Sequence, residues 1–262
     1  MPTAEERRAS AAARGRWQAA RRAESAYAQQ LRRVARAVGD IIRGVAPDGV
    51  LDEGAERSIL DLLEQYAELL TPWAERVGQR MIEDVAVRNF QAWMAVSREI
   101  GVALRREIET APTGEEMRAA LAQQVSLITS LPRDAAERVH HLTTEARFSG
   151  RRAESIAEEI LATGDVTRSR ANTIARTEVG RTGTELLKAR SLHIGAETYI
   201  WTAVMDVDTR KDHARLHGKL IRWDRPPIVD RRSGRRAHAG ADINCRCTPH
   251  PVLDPSMFEL AA

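Results

Sequence analysis

Aromatic residues, cysteines and long apolar runs are all scarce in this chain of 262 residues. Aromatic side chains make up 4% of the residues while hydrophobic residues reach 43%, so the interior must be mainly aliphatic, which favours helices. The two cysteines, Cys245 and Cys247, are separated by a single residue, which excludes a disulfide framework of the kind found in small secreted domains. No run approaches the roughly 18 apolar residues of a membrane span, and the first residues show no apolar signal segment. We therefore expect neither a membrane partner nor a secretory signal.

A large excess of charge of one sign is also missing. The chain has 40 Lys and Arg residues against 37 Asp and Glu residues, a formal net charge of +3. Such a balance does not favour a protein that binds polyanions over its whole surface, so DNA contact would depend on local basic patches. One patch is predicted in the loop-like segment 224–241, where four arginines could contact phosphate: Arg231, Arg232, Arg235 and Arg236. Because no aromatic residues are interleaved for base stacking, a solvated basic loop is an equally good interpretation.

Helical periodicity dominates most of the chain. Segments with apolar residues at every third or fourth position run over 4–44, 53–70, 73–108, 114–130, 133–147, 151–163 and 168–192. The pattern then changes to β-branched and aromatic residues, which predicts a strand at 197–204 and a second, short strand at 219–223. Prolines and glycines in 224–241 predict an irregular segment. We therefore predict a mainly α protein, with an elongated helical region over 1–134 and a small α+β domain with irregular loops over 135–255.

The end of the chain concentrates residue types that bind metal ions. His213 and His217 are four positions apart, so both side chains would share one face if this segment forms a helical turn. Cys245 and Cys247 follow after the loop-like segment. Two histidines and two cysteines supply four ligands, the number that a closed structural zinc site uses. A structural Zn²⁺ site is one interpretation; the other is that these side chains are packed in the interior as free thiols and imidazoles.

Carboxylates near the histidines invite a catalytic interpretation as well. Four aspartates belong to this group: Asp206, Asp208, Asp212 and Asp242. A metal-dependent nuclease could use His213, His217 and Asp208 to hold a metal ion and activate a water molecule. In the alternative that we favour, one of the first two aspartates caps the following turn and Arg210 pairs with Asp242. On that interpretation the chain has no catalytic residue.

Four segments, taken together, resemble the head morphogenesis (minor head) proteins of tailed bacteriophages, the family typified by phage Mu. They are Ile174-Ala-Arg-Thr-Glu178, Tyr199-Ile-Trp201, Asp208-x-Arg210-x-x-His213-x-x-Leu216-His217-Gly218-Lys219 and Gly240-x-x-x-Asn244-Cys-Arg-Cys247. The resemblance covers residues 135–252, and the final Asn-Cys-Arg-Cys is its most specific signature. It assigns a structural role to seven motif residues: Arg176, Glu178, Asp208, Arg210, Gly218, Asn244 and Arg246.

The resemblance implies a non-enzymatic protein of the virion, located inside the capsid at the portal vertex and in the host cytoplasm during assembly. Its implied partner is the portal protein, and further candidates are the scaffold, the major capsid protein and packaged DNA. Its implied role is to assist head assembly, DNA packaging or DNA delivery. Under this interpretation residues 1–134 contact the portal or scaffold, and residues 135–255 form the head morphogenesis domain.

The chain departs from the family pattern at the metal-ligand positions. Many relatives carry a Cys-x-x-Cys pair in the Asp-x-Arg segment and a His-Pro before the final Cys-Arg-Cys. Here Arg210 stands at the first of those cysteines, His213 at the second, and Ala241-Asp242-Ile243 replaces the His-Pro region. Histidine in place of cysteine keeps a metal ligand, whereas arginine does not, so the implied zinc ligands are His213, His217, Cys245 and Cys247.

Overall fold

The computed structural model describes residues 4–100, 111–149 and 153–253. Its helices are α1 (Ala4–Val45), α2 (Glu53–Leu69), α3 (Thr71–Ile100), α4 (Gly114–Ser149), α5 (Ala153–Leu161), α6 (Thr163–His193) and the one-turn α7 (Lys211–Ala214). Its strands are β1 (Thr198–Thr202), β2 (Leu220–Arg222), β3 (Ile228–Asp230), β4 (Arg235–Arg236) and β5 (Thr248–Pro251). The prediction of a mainly α chain with a small α+β end is confirmed. In the described part of the chain, no helix is both long enough and apolar enough to cross a membrane.

The chain forms two compact units that alternate along the sequence. One, which we call the site unit, comprises Met1–Glu24, Met81–Ala120 and Arg176–Ala262. The other, the helical unit, comprises Ser25–Arg80 and Leu121–Ala175. The boundaries fall inside helices α1, α3, α4 and α6. The functional division at residue 134 stays a prediction.

The helical unit has an aliphatic core to which α1, α2, α4 and α5 contribute. Helix α2 begins after Asp52, whose carboxylate accepts a hydrogen bond from the Ala55 backbone N–H at 2.7 Å and so satisfies one of the free donors of the first turn. The apolar stripes of these helices meet in a cluster of buried side chains: Val38, Ile42, Ile59, Leu63, Val139, Leu142, Ile156 and Ile160. Burial of these side chains is the main favourable contribution to the folding free energy of the unit.

Helix α4 continues through Pro132, where we predicted a break between residues 130 and 133. Proline inside a helix removes one hydrogen bond and costs about 3 kcal/mol. Leu131 and Ala135 are buried on either side of it, together with Ile128 and Val139. Because each large aliphatic side chain contributes roughly 1.5–3 kcal/mol on burial, this stripe outweighs the local cost and keeps the helix in one piece.

The site unit contains a small antiparallel sheet with strand order β2-β1-β5. Tyr199 in β1 lies opposite Ile221 in β2 and Pro251 in β5. Strands β1 and β2 confirm the two predicted strands, whereas β5 was not predicted because half of its residues are prolines. The Tyr199 and Trp223 rings pack with centroids 4.3 Å apart, and the core around them is compact: Tyr199, Trp201, Ala203, Trp223, Val229, Ala239, Cys245 and Cys247.

The segment 224–241 is more regular than we predicted. It contains the β3–β4 hairpin, in which Ile228 lies opposite Arg236. The turn between the strands includes Gly234, whose φ of +71° suits glycine. Ser233-Gly234 indicates a turn in the sequence. The two strands are too short to show the alternation of apolar and polar residues that would predict them.

Candidate functional site

Helix α7 and the turn at 242–247 bring His213, Cys245 and Cys247 together. One ligand atom from each lies within 4.8 Å of the others, and all three residues are buried. The turn depends on Asn244, which has a φ of +53°, a left-handed conformation that asparagine tolerates better than most residues. The Asn244 backbone N–H donates to Thr177 Oγ1 at 3.1 Å, which ties the turn to α6.

The distances in this group fit a tetrahedral metal ion. His213 Nδ1 lies 3.5 Å from the sulfur of Cys245 and 3.5 Å from the sulfur of Cys247. Zinc bonds of about 2.0–2.1 Å to nitrogen and about 2.3 Å to sulfur give a tetrahedral N···S edge of about 3.5–3.6 Å. The three donors therefore fit zinc, with His213 bound through Nδ1.

Asp242 orients the histidine from its other side. His213 Nε2 lies 3.1 Å from Asp242 Oδ2, and the Asp242 side chain is only 1% exposed. The same carboxylate accepts hydrogen bonds from Arg210 and from Arg235 Nε, the latter at 2.8 Å. A carboxylate on the far nitrogen of a metal-binding histidine fixes the ring and its tautomer. The predicted pairing of Arg210 with Asp242 is present in the structure.

The ionisation of this group follows from these contacts. Burial lowers the pKa of His213, but its hydrogen bonds to Asp242 and Cys245 outweigh burial and raise the pKa to about 9. Burial raises the pKa of Asp242, but hydrogen bonds from His213 and Arg235 outweigh it, so this pKa lies well below its usual range. The Asp242 carboxylate is therefore charged at every physiological pH.

The two thiols differ in acidity. A hydrogen bond from Cys247 lowers the pKa of Cys245 well below its ordinary value, with a further contribution from His213. The same hydrogen bond, together with burial, raises the pKa of Cys247. A metal ion bound here would displace the protons of the thiols, because zinc binds thiolates.

His217 lies outside the group, although its spacing suggested otherwise. Helix α7 ends at Ala214, so His217 is not on the same helical face as His213. Its Nδ1 accepts a hydrogen bond from the Ala203 backbone N–H at 3.1 Å. The structure thus brings three of the four predicted ligands together. A void of about 20 Å³ borders His213 and both cysteines, which is enough for one water molecule.

The aspartates of the nuclease interpretation mostly pair with arginines. Asp206 binds Arg246 and also accepts from the Asp208 backbone N–H at 3.2 Å, so it caps the turn as predicted. Asp208 is largely exposed and lies 3.7 Å from Arg246. Asp212 pairs with Arg215 at 3.0 Å.

The other motif residues hold the site unit together locally. Glu178 is buried and pairs with Arg181 at 3.1 Å, while Arg176 pairs with Glu24 at 3.0 Å. Gly218 adopts a φ of +76° and its N–H donates to the Trp201 carbonyl at 2.8 Å, which starts β2 beside β1. The structural role predicted for the motif residues agrees with these contacts, which all lie within the site unit.

The four arginines of the hairpin differ in their availability. Arg235 is bound to Asp242 and lies 3.6 Å from Asp230. Arg231 lies 3.6 Å from Asp212, and Arg236 donates to the Pro226 carbonyl at 3.0 Å. The side chains of Arg231, Arg232 and Arg236 are exposed, whereas Arg235 is only half-buried at the edge of the metal group.

Two features of the site unit were missed by sequence reasoning. His238 is buried between Tyr199 and Trp223, with Nδ1 3.1 Å from the tyrosine hydroxyl and Nε2 3.1 Å from the Trp223 carbonyl. Helix α6 approaches the Gly240 turn so closely that a Cβ on Gly180 would lie 2.6 Å from the Gly240 carbonyl oxygen. Glycines at 180 and 240 were visible in the sequence, but nothing local showed that they meet.

Comparison with known proteins gives one family match and two curated relatives. Residues 137–250 match the family described as Phage Mu protein F like protein. An uncharacterized protein of Haemophilus influenzae is 26% identical over 247 residues, which cover 89% of this chain and 54% of that protein. A protein of Enterococcus faecalis named NAD(+)--arginine ADP-ribosyltransferase EFV is 32% identical over 124 residues, 43% of this chain and 25% of that protein. No solved structure shows a significant match.

The chain spans about half the length of the Haemophilus protein and a quarter of the Enterococcus protein. The family match contains α7, the strands β1 to β4, all but the last residue of β5, and the whole His213, Cys245 and Cys247 group. It coincides closely with the region in which the four motif segments occur. Residues 137–250 of this chain are thus similar to the family described as Phage Mu protein F like protein.

Proposed function

We propose that this chain is a minor capsid protein of a tailed bacteriophage or gene-transfer particle, bound to the portal protein inside the capsid. It assists head assembly, DNA packaging or DNA delivery. The protein is in the host cytoplasm while the head assembles and in the virion afterwards. The observation that carries the proposal is the family match over residues 137–250, which takes in every residue of the buried His213 group.

We infer a structural rather than catalytic role for this group. A catalytic metal site needs a group that activates water or stabilises developing charge. The Asp242 carboxylate instead accepts from Arg210, Arg235 and His213, so its oxygens are occupied. His217, assigned to the metal in the nuclease alternative, receives the Ala203 N–H instead.

Zinc is the metal that suits the donor set. His213, Cys245 and Cys247 are the residues that would hold it, with Asp242 behind the histidine. Bound there, the ion would pin α7 to the turn at 242–247, and the binding free energy would become folding free energy of the site unit. The proposed zinc is therefore a structural element of the head morphogenesis domain.

Co-purification with the portal protein tests the main proposal. The chain is mixed with the portal protein encoded beside it, and the mixture is analysed by size-exclusion chromatography with light scattering. We expect a complex of defined stoichiometry, and no complex with the portal protein of an unrelated phage. Clean separation, repeated with scaffold present, would contradict the proposal.

A cleavage assay separates this role from the nuclease alternative. The purified chain is incubated with double-stranded DNA and Mg²⁺, Mn²⁺ or Zn²⁺. We expect no cleavage above the level of a His213→Ala variant. Cleavage that depends on His213 in a folded protein would favour the nuclease.

A further inference from the structure

The β3–β4 hairpin is too small to keep its own shape. Its ladder places Ile228 opposite Arg236 and Asp230 opposite Arg235, with an irregularity in register between the two pairs. A two-stranded hairpin by itself is at best marginally stable in water. The position of this hairpin, and of the exposed arginines that it carries, therefore depends on the contacts that attach it to the rest of the site unit.

The first attachment is the carboxylate of Asp242. Arg235 in β4 donates to it twice, from Nε to Oδ1 at 2.8 Å and from Nη2 to Oδ2 at 3.3 Å. Two parallel hydrogen bonds between one guanidinium and one carboxylate are stronger and more directional than a single neutral hydrogen bond. The Asp242 side chain is 1% exposed, and its Oδ2 lies 3.1 Å from His213 Nε2. One buried carboxylate thus joins β4 to the histidine of the metal group, which consists of His213, Cys245 and Cys247.

The second attachment is Asp212, which precedes His213 in α7. Its Oδ2 accepts a hydrogen bond from the Arg231 backbone N–H at 3.1 Å, and its Oδ1 lies 3.6 Å from Arg231 Nε. Strand β3 runs beside α7. The turn of the hairpin is therefore tied to the helix that carries His213.

The third attachment is apolar. Val229 in β3 is 1% exposed and belongs to the same buried cluster as Cys245 and Cys247. Burial of a valine side chain contributes about 1.5–3 kcal/mol. All three attachments thus lead to candidate metal ligands or to residues in direct contact with them.

We propose that the metal group determines how firmly the β3–β4 hairpin is held. This inference rests on the structural zinc proposed above. An ion bound by the metal group would hold α7 to the turn at 242–247, the two segments that carry Asp212 and Asp242. Without the ion, the hairpin can move together with either segment. With the ion, the same motion has to break the metal group, so the free energy of zinc binding is added to its cost.

The coupling joins two features of the site unit that are distinct in sequence. Arg231, Arg232 and Arg236 are exposed on the hairpin, and their positions follow from where α7 and the turn at 242–247 are fixed. Zinc occupancy therefore sets the geometry of this basic surface, although none of the three arginines contacts a candidate ligand in the described part of the chain.

Hydrogen exchange of the full chain, measured by mass spectrometry, tests the coupling. The chain is compared with and without zinc, and native mass spectrometry determines the zinc content of each sample. At a free zinc concentration 100 times the Kd, opening of the metal group becomes about 100-fold rarer. Exchange in peptides that cover residues 228–237 should slow by up to that factor. Exchange in α2, which belongs to the helical unit, should not change.

Two substitutions remove the attachments one at a time. Arg235→Gln breaks the contact with Asp242 but changes no candidate ligand, so the variant should still bind zinc and show a smaller slowing of hairpin exchange. Adding Asp212→Ala should remove the slowing. Arg225→Gln is the matched control, because its side chain is exposed in the same segment 224–241. We expect the wild-type slowing in this control.

The possible outcomes separate the coupling from the zinc site itself. Zinc that binds while hairpin exchange stays the same would overturn the coupling alone. Equal slowing in wild type and in the double variant would show that Asp242 and Asp212 do not transmit the effect. A chain that binds no zinc would overturn both the proposed site and the coupling.

Trypsin digestion provides a second readout. Trypsin cleaves after arginine, and cleavage of a folded chain tracks the population of its locally open form. Cleavage after Arg231 and Arg232 should be slower in zinc-loaded than in zinc-free wild type. In Arg235→Gln the two rates should lie closer together. Equal rates in zinc-loaded and zinc-free wild type would contradict the proposal.

Discussion

At the scale of single residues, His213 differs from His217 in what its ring nitrogens contact. Both nitrogens of His213 are used in the buried group, Nδ1 toward the sulfurs and Nε2 toward Asp242. His217 is four residues away and contributes one hydrogen bond to the Ala203 backbone. The pair therefore provides a matched comparison for the metal proposal.

We expect the chain purified without chelator to contain about one equivalent of zinc, as a preformed Cys₂His site would. His213→Ala should abolish zinc binding, whereas His217→Ala should retain it. Inductively coupled plasma mass spectrometry measures the metal, and thermal melting with and without EDTA measures its effect on stability. Metal-free wild-type protein with a melting temperature unchanged by EDTA would rule out the structural zinc.

His238 makes a separate prediction about pH. Burial, assisted by the charge of Lys188, lowers the pKa of His238 to about 4, whereas an unfolded histidine titrates near 6.5. The unfolded state therefore binds an additional proton between these values. The neutral His238 side chain therefore makes its full contribution to the free energy of unfolding above pH 6.5. That contribution is lost as the pH falls toward 4, by at most about 3 kcal/mol.

We expect His238→Gln to melt at a lower temperature than wild type at pH 7 but to lose less stability between pH 6.5 and 4. Glutamine keeps an amide N–H that can donate to the Trp223 carbonyl, but it does not titrate. Thermal melting of both proteins across this pH range is the measurement. If the melting temperatures of the two proteins fall in parallel with pH, His238 does not cause the loss of stability below pH 6.5.

At the scale of elements, the contact between α6 and the Gly240 turn sets the position of the cysteine segment. Gly240 has a φ of +88°, and Thr184 Oγ1 donates to the Ala239 carbonyl at 2.8 Å beside it. Backbone touches backbone here, because neither Gly180 nor Gly240 has a side chain. Residues 242–247, with both cysteines, follow directly from this contact.

We expect Gly180→Ala to destabilise the chain by about 1–3 kcal/mol, the usual cost of an additional atom in a packed interior. Gly183→Ala is the matched control, since its Cβ would lie 3.7 Å from Val85 Cγ1, an ordinary contact. That substitution should be neutral or stabilising by up to about 1 kcal/mol, because alanine is the better helix former. Chemical denaturation measures both, and equal effects would show that the close approach is unimportant.

At the scale of the whole molecule, the near balance of 40 basic and 37 acidic residues makes DNA contact a local matter. We expect DNA contact by this protein to depend on the exposed Arg231, Arg232 and Arg236. Arg235 should matter less for DNA, because it is held by Asp242.

Fluorescence anisotropy with labelled duplex DNA at several salt concentrations tests this assignment. Replacing Arg231, Arg232 and Arg236 by Gln should reduce the slope of log K against log salt by about 0.9 for each lost phosphate contact. Arg235→Gln should instead lower the melting temperature and leave that slope nearly unchanged. An unchanged slope in the triple variant would exclude these arginines from DNA contact.

Sequence alone determined the properties that depend on local pattern and residue type. The mainly helical character, the strands β1 and β2, the resemblance that the match over residues 137–250 supports and the grouping of His213, Cys245 and Cys247 as donor residues follow from local periodicity, residue type and motif order, which need no knowledge of long-range contacts. The pairing of Arg210 with Asp242 also followed, because opposite charges in one motif region are expected to meet.

Only the tertiary structure decided which of the predicted residues meet. It separated His217 from the metal group because α7 stops at Ala214, and it carried α4 through Pro132 because burial on both sides outweighs one lost hydrogen bond. It also placed His238 against Tyr199 and revealed the contact between Gly180 and Gly240. These outcomes depend on packing between residues that are distant in sequence. No short sequence pattern predicts the free energy of such packing.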